Sequence, residues 1–205
     1  MTRSARVRRW GSLGHVSFWG GLVLGCALTL IVFQVPYMNW VPVMPPVDAR
    51  PLVIRHDAKG DGHFASPRSG GRHHRGVDLA AALNSPVRAI RSGTVVQVGT
   101  HRGLGRFIEL EHSHGLHSLY AHLNGVRVDA GEKIKQGEII GTVGKTGNAR
   151  HPWITPHLHL EVLRDGVPID PLSLGLRAVD TPALATDRQV VAKDAPEFPD
   201  ASEDE

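Results

Sequence analysis

Hydrophobic and polar positions change rhythm several times along the chain. From Val16 to Phe33 the sequence VSFWGGLVLGCALTLIVF has eighteen residues and no charge, enough to cross a hydrocarbon core about 30 Å thick. It predicts a transmembrane helix over 16–34. Arg3, Arg6, Arg8 and Arg9 precede the run and no comparable basic cluster follows it, so the positive-inside rule leaves 1–15 in the cytoplasm and the rest outside. The run is long for the core of a cleaved signal peptide and lacks an A-x-A site at its end. Gly21 and Gly25 make a G-x-x-x-G step that lets two helices pack closely, which alone is weak evidence for a dimer.

Between 35 and 51 stand Pro36, Pro42, Pro45, Pro46 and Pro51, which remove backbone donors and favour extended geometry. A semi-rigid stalk is expected there, with Tyr37 and Trp40 suited to the headgroup layer. From 52 to 175 the pattern becomes short apolar runs punctuated by Gly, Asn and Asp, as in SGTVVQVGT, GRFIELEH, GLHSLYAHL and GEIIGTVG. That rhythm predicts a mainly β domain. Alternation is clearest in His157-Leu158-His159-Leu160-Glu161-Val162, a strand with Leu, Leu and Val on one face and His, His and Glu on the other. Residues 176–205 turn acidic and Ala/Pro-rich, ending PEFPDASEDE. A tail of that composition buries too little apolar surface to offset ordering entropy, and disorder is expected.

A length of 205 residues accommodates one globular domain with extensions. The formal charge of +3 comes partly from the arginine-rich start, and no basic stripe with interleaved aromatics points to nucleic acid. The single cysteine, Cys26, lies in the apolar run, which excludes an internal disulfide and a Cys-rich zinc site. Thirteen histidines are the anomaly of the composition.

Several of them fall in three short segments: His74-Arg75-Gly76-Val77-Asp78, Tyr120-Ala121-His122-Leu123 and Pro156-His157-Leu158-His159. In an extended chain His74 and Asp78 would be about 13 Å apart. A shared metal therefore needs a bend, which Gly76 is expected to supply. On a strand, H-x-H points both imidazoles to one face about 6.6 Å apart. Either both bind one metal, or one binds and its neighbour touches the metal-bound water, and spacing does not choose between these. Alternation through Ser118, Tyr120 and His122 places these three on a common face.

Taken in order, the segments resemble the lysostaphin-type (LytM-type) zinc endopeptidases over roughly 63–172. The family's G-R-x-H-x-G-x-D appears as Gly71 to Asp78, its Y-A-H-L as Tyr120 to Leu123, its glycine-spaced G-x-x-V-x-x-G segment as GEKIKQGEIIGTVGKTG, and its P-H-L-H-F-E as Pro156 to Glu161. The resemblance implies a mainly antiparallel β-sheet or β-roll domain holding one Zn2+ on His74, Asp78 and His159. It places His122 and His157 beside the catalytic water. It also implies peptidoglycan stem peptides as substrate, cut at their cross-links on the periplasmic or extracytoplasmic side of the bacterial membrane. The other class it allows is a non-catalytic peptidoglycan-binding scaffold or activator of other wall hydrolases, as in relatives that have lost ligands. This chain retains all five groups. No H-E-x-x-H is present, so acid–base work falls to histidine, whose unperturbed pKa near 6.5 suits it.

Two departures from the family pattern matter. Asn148 to Thr155 is longer than the usual turn, so the loop beside the site is enlarged, and the helical segment that precedes the domain in many relatives is replaced by the proline-rich stretch. The remaining histidines of the domain, His73, His112, His114, His117 and His151, are expected to be mostly solvated. Arg72 and Arg75 read either as contacts for wall-peptide carboxylates or as a soluble basic loop.

Overall fold

The computed structural model describes residues 37–57 and 60–180. The expected cytoplasmic segment, transmembrane helix and glycine step, and most of the acidic tail, lie outside these residues. Among the described residues no helix is long and apolar enough to cross a membrane.

Mainly antiparallel β structure is what the alternation requires. Eleven strands form one sheet: β1 (Leu52–Ile54), β2 (Gly76–Ala80), β3 (Pro86–Arg88), β4 (Gly93–His101), β5 (Gly105–Glu111), β6 (Leu116–Val126), β7 (Lys133–Ile134), β8 (Ile139–Val143), β9 (His157–Arg164), β10 (Val167–Ile169) and β11 (Ala178–Asp180). Their main order is β7-β4-β5-β6-β9-β2-β1-β11, with β8 joining β6 to β3 and β10 lying on β9. Two short ribbons, His56–Asp57 with Gly60–Asp61 and Pro67–Arg68 with Arg72–His73, flank it.

β9 sits between β6 and β2, and its register sets the layout of the site. Leu158 pairs with Leu79, Leu160 with Val77 and Tyr120, and all five are fully buried in the core. Burying side chains of this size contributes about 2 kcal/mol each. The same register aligns His159 with Asp78 on one side and Ala121 on the other. The strand's apolar face thus fixes where its polar face points, since a one-residue slip would exchange the two.

A polar chain runs through the core beside this frame. His112 Nδ1 donates to the Ser92 carbonyl at 2.9 Å, so in the neutral ring Nε2 accepts from Ser118 Oγ at 2.7 Å. Ser118 then accepts from the Tyr120 hydroxyl 3.0 Å away, and Tyr120 accepts the Ile90 N–H at 2.9 Å. Each group is satisfied, as burial demands. His112 is therefore buried rather than solvated.

Both ends of the expected domain move outward. The stretch expected as a stalk packs onto the domain from Asn39: Met44 N–H bonds the Ile90 carbonyl, Arg88 N–H bonds that of Pro46, and Val47 is 2% exposed in the core. Prolines that refuse ladder bonds still bury apolar surface and accept from neighbours, so a proline-rich composition does not by itself make a stalk. At the other end Leu176 is buried and 178–180 pair in parallel with β1. The first residues assigned to the tail complete the sheet.

Candidate metal centre and flanking histidines

His74 leaves the short ribbon ahead of β2, and its Nδ1 donates to the His63 carbonyl at 2.8 Å. The lone pair is therefore on Nε2. His159 donates from Nε2 to Glu161 Oε1 at 3.1 Å, which leaves its lone pair on Nδ1. Those two nitrogens lie 3.0 Å apart, and Asp78 Oδ1 is 3.1 Å from the first and 2.8 Å from the second. Three acceptors converging like this, each buried, need a cation between them.

The fit to zinc follows from donor type and spacing. Two imidazole nitrogens and a carboxylate oxygen form a common zinc set, and tetrahedral bonds of about 2.0 Å put ligand atoms about 3.3 Å apart. The three ligand atoms all fall within 4.8 Å of one another. His74, Asp78 and His159 are a zinc-binding triad for a single ion. The partners behind them, the His63 carbonyl and Glu161, fix both tautomers, as outer hydrogen bonds do around metals.

The electrostatics agree. Burial by itself would raise the Asp78 pKa, but hydrogen bonds with His159 and His74 hold its carboxyl well below the usual range. Burial would lower His159, yet Asp78 and Glu161 push it up to about 9. These groups by themselves attract positive charge to one point. The second Asp78 oxygen, Oδ2, accepts from buried Arg55 at 2.8 Å.

His122 and His157 flank the triad. Their rings stand 4.9 Å apart, edge to face, and the His122 ring is 5.7 Å from that of His159. His157 Nε2 is 3.9 Å from Asp78 Oδ1. Each spends its Nδ1 proton on a carbonyl, His122 on Thr146 at 2.9 Å and His157 on Thr155 at 2.7 Å. Burial lowers both pKa values, that of His122 to about 3, so both rings are neutral near pH 7.

His122 reaches this place by leaving the expected face. Ser118 and Tyr120 point into the core, and strict alternation would send His122 after them. At φ 61° His122 is left-handed, and the register between β5 and β6 shifts between Tyr120 and Leu123. The irregularity turns the imidazole to the side of Ala121 and His159. A non-glycine residue held there costs about 1–2 kcal/mol and signals a functional constraint.

Gly76 also differs from expectation. Its φ is not left-handed and it begins β2; a Cβ there would lie 2.2 Å from the Leu160 carbonyl oxygen. It is glycine because β9 comes that close, while the approach of His74 to Asp78 comes from the chain entering β2.

The structure brings together the five residues singled out from the sequence and leaves others aside. His73 is exposed and bonded to the Ala65 carbonyl, His117 pairs with Glu109, and His151 stacks on Trp153 in the enlarged loop. Arg72 is exposed and donates to the Ser69 carbonyl, while Arg75 lies 3.6 Å from Glu161. Glu161, already on the His-His-Glu face, could have been assigned from the alternation. Arg55 could not, since nothing in its surroundings in sequence marks it.

A family model described as Peptidase family M23 matches residues 72–171. The DD-carboxypeptidase/endopeptidase Mpg of Neisseria meningitidis is 38% identical over 113 residues, 55% of this chain and 24% of that protein. The chain thus spans about a quarter of the length of the first curated relatives it matches. Among solved structures, a zinc-containing peptidase from Vibrio cholerae is 30% identical with a TM-score of 0.51, covering 60% of this chain and 37% of that one. A chain from the SpoIIIAH–SpoIIQ complex is 30% identical with a TM-score of 0.53, and the match covers 64% of this chain and 98% of that one. The convergence of ligands from β9, β2 and the chain entering β2, the order of the motifs and these likenesses have one explanation: the chain belongs to peptidase family M23, the lysostaphin-type zinc metalloendopeptidases.

Proposed function

We propose that the protein is an endopeptidase that hydrolyses peptide cross-links of bacterial peptidoglycan. The observation that carries this reading is the pairing of a buried His74/Asp78/His159 triad with two neutral, carbonyl-anchored histidines. The likeness to the Neisseria DD-carboxypeptidase/endopeptidase supports it. A non-catalytic scaffold needs neither His122 in a strained conformation nor His157 beside the triad.

Bound by the triad, zinc lowers the pKa of a water towards about 7 and polarises the scissile carbonyl. The protein's own groups supply the rest. With Nδ1 tied to a carbonyl, His122 and His157 each keep Nε2 as the lone-pair nitrogen, the form a general base requires. One accepts the proton of the attacking water at Nε2 and passes it to the leaving amine. The other, by proximity, meets the oxygen on which negative charge develops. Asp78 serves as a ligand, and Glu161 holds His159 in the ligating tautomer.

The uncharged run at 16–33 and the arginines before it support a single-pass anchor, with the domain on the outer face of the cytoplasmic membrane. The test is incubation of the detergent-solubilised full chain with cross-linked muropeptides. Cleavage that stops with a chelator and returns with zinc is the expected result; no cleavage across muropeptide types with zinc bound would remove the enzymatic reading.

A further inference from the structure

Arg55 and Asp57 lie outside the stretch matched by the family model, yet they touch both halves of the site. The Arg55 side chain is 7% exposed and that of Asp57 11%. A buried guanidinium needs anionic partners, and this one has two: Nη2 is 2.8 Å from Asp78 Oδ2 and Nη1 is 2.6 Å from Asp57 Oδ1. Asp57 divides its oxygens in the same way. Its Oδ2 accepts the Thr155 N–H at 3.2 Å, and the carbonyl of that same Thr155 accepts from His157 Nδ1 at 2.7 Å.

We propose that Arg55 and Asp57 are positioning residues, a bridge holding the metal-ligating carboxylate of Asp78 and the carbonyl that orients His157 in one rigid frame. The part concerning His157 rests on the catalytic reading above. Three features support the bridge. A carboxylate giving Oδ1 to a metal needs a donor on Oδ2, and the planar guanidinium fixes the direction of that donor, as a lysine does not. Thr155 is exposed, so core packing does not hold it, whereas Asp57 anchors the residue by its N–H, next to the carbonyl of the same residue that His157 uses. Finally, Arg55 sets one positive charge between two buried carboxylates, Asp78 and Asp57, so neither is left without a partner on that side. Arg68, 3.7 Å from Asp78 Oδ2 and more exposed, is a looser second contact.

The test uses the full chain in detergent, with zinc affinity measured by chelator competition and kcat and KM measured on cross-linked muropeptides. Arg55→Lys keeps the charge but not the fork and lowers zinc affinity about tenfold to a hundredfold. Asp57→Asn, which contacts no metal ligand directly, also lowers zinc affinity, and adds nothing further in the Arg55→Lys background. At saturating zinc Asp57→Asn lowers kcat about tenfold with KM within about twofold, because the loss passes through the placement of His157. Wild-type zinc affinity in Arg55→Lys, additive effects in the double variant, or full kcat in zinc-saturated Asp57→Asn would each overturn the bridge. If Arg55→Lys does not fold, Asp57→Asn decides alone, and unchanged zinc affinity in it overturns the bridge. If the wild type cleaves no muropeptide, the endopeptidase reading fails while the affinity measurements still judge the bridge.

Discussion

Replacing His112 with Gln isolates one proton in the stability of the domain. His112 is 5% exposed, and burial lowers its pKa to about 4. Protonation would make Nε2 a donor, turn the Ser118 hydroxyl towards Tyr120, and leave the buried Tyr120 proton without an acceptor in the chain. The neutral ring is therefore the native form. In the unfolded chain the ring titrates near 6.5, so between about pH 6.5 and 4 the unfolded state binds the extra proton and stability falls as pH falls. The slope is about 1.4 kcal/mol per pH unit, and the whole window is worth about 3 kcal/mol. Above the window the ring is neutral in both states and contributes no pH dependence. Urea unfolding at a series of pH values, with chelator present for both proteins so that metal loss cancels, should show a slope smaller by one proton in His112→Gln. Identical slopes for the two proteins would refute the neutral, buried network.

Gly76→Ala forces a Cβ to 2.2 Å from the Leu160 carbonyl oxygen and should cost about 3 kcal/mol or more, read by thermal melting, with zinc affinity falling alongside. Glu161→Gln frees the His159 tautomer and should weaken zinc about tenfold by chelator competition while the melting temperature without metal stays near wild type. A fragment beginning at Leu52 loses buried Val47 and the backbone bonds of Met44 and Pro46. It should melt well below one beginning at Asn39, since Val47 alone is worth about 2 kcal/mol.

The site was legible in the sequence because its parts are local. H-x-H on an alternating strand fixes two imidazoles on one face without any tertiary knowledge, and the Leu158/Leu160/Val162 face fixes the opposite one. His122 was legible as a residue but not as a direction: one left-handed backbone angle reverses what alternation predicts, and no residue type there announces it. Gly76 was identified as special for the wrong reason, because the cause is the backbone of β9, distant in sequence. Arg55 and Asp57 carry no spacing signal, and their importance exists only once β1, the first ribbon and the loop ending at Thr155 meet. The proline-rich stretch misled since composition reports what a segment cannot bond, not which surface it covers.

Zinc content and turnover, measured on the same preparations of His159→Ala and His157→Ala, separate metal binding by the triad from proton transfer by the flanking histidines. His159→Ala leaves two protein ligands and should lose both zinc and activity. His157→Ala should keep near-stoichiometric zinc while turnover falls about 10²-fold or more. Zinc retained in His159→Ala and lost in His157→Ala would contradict the assignment.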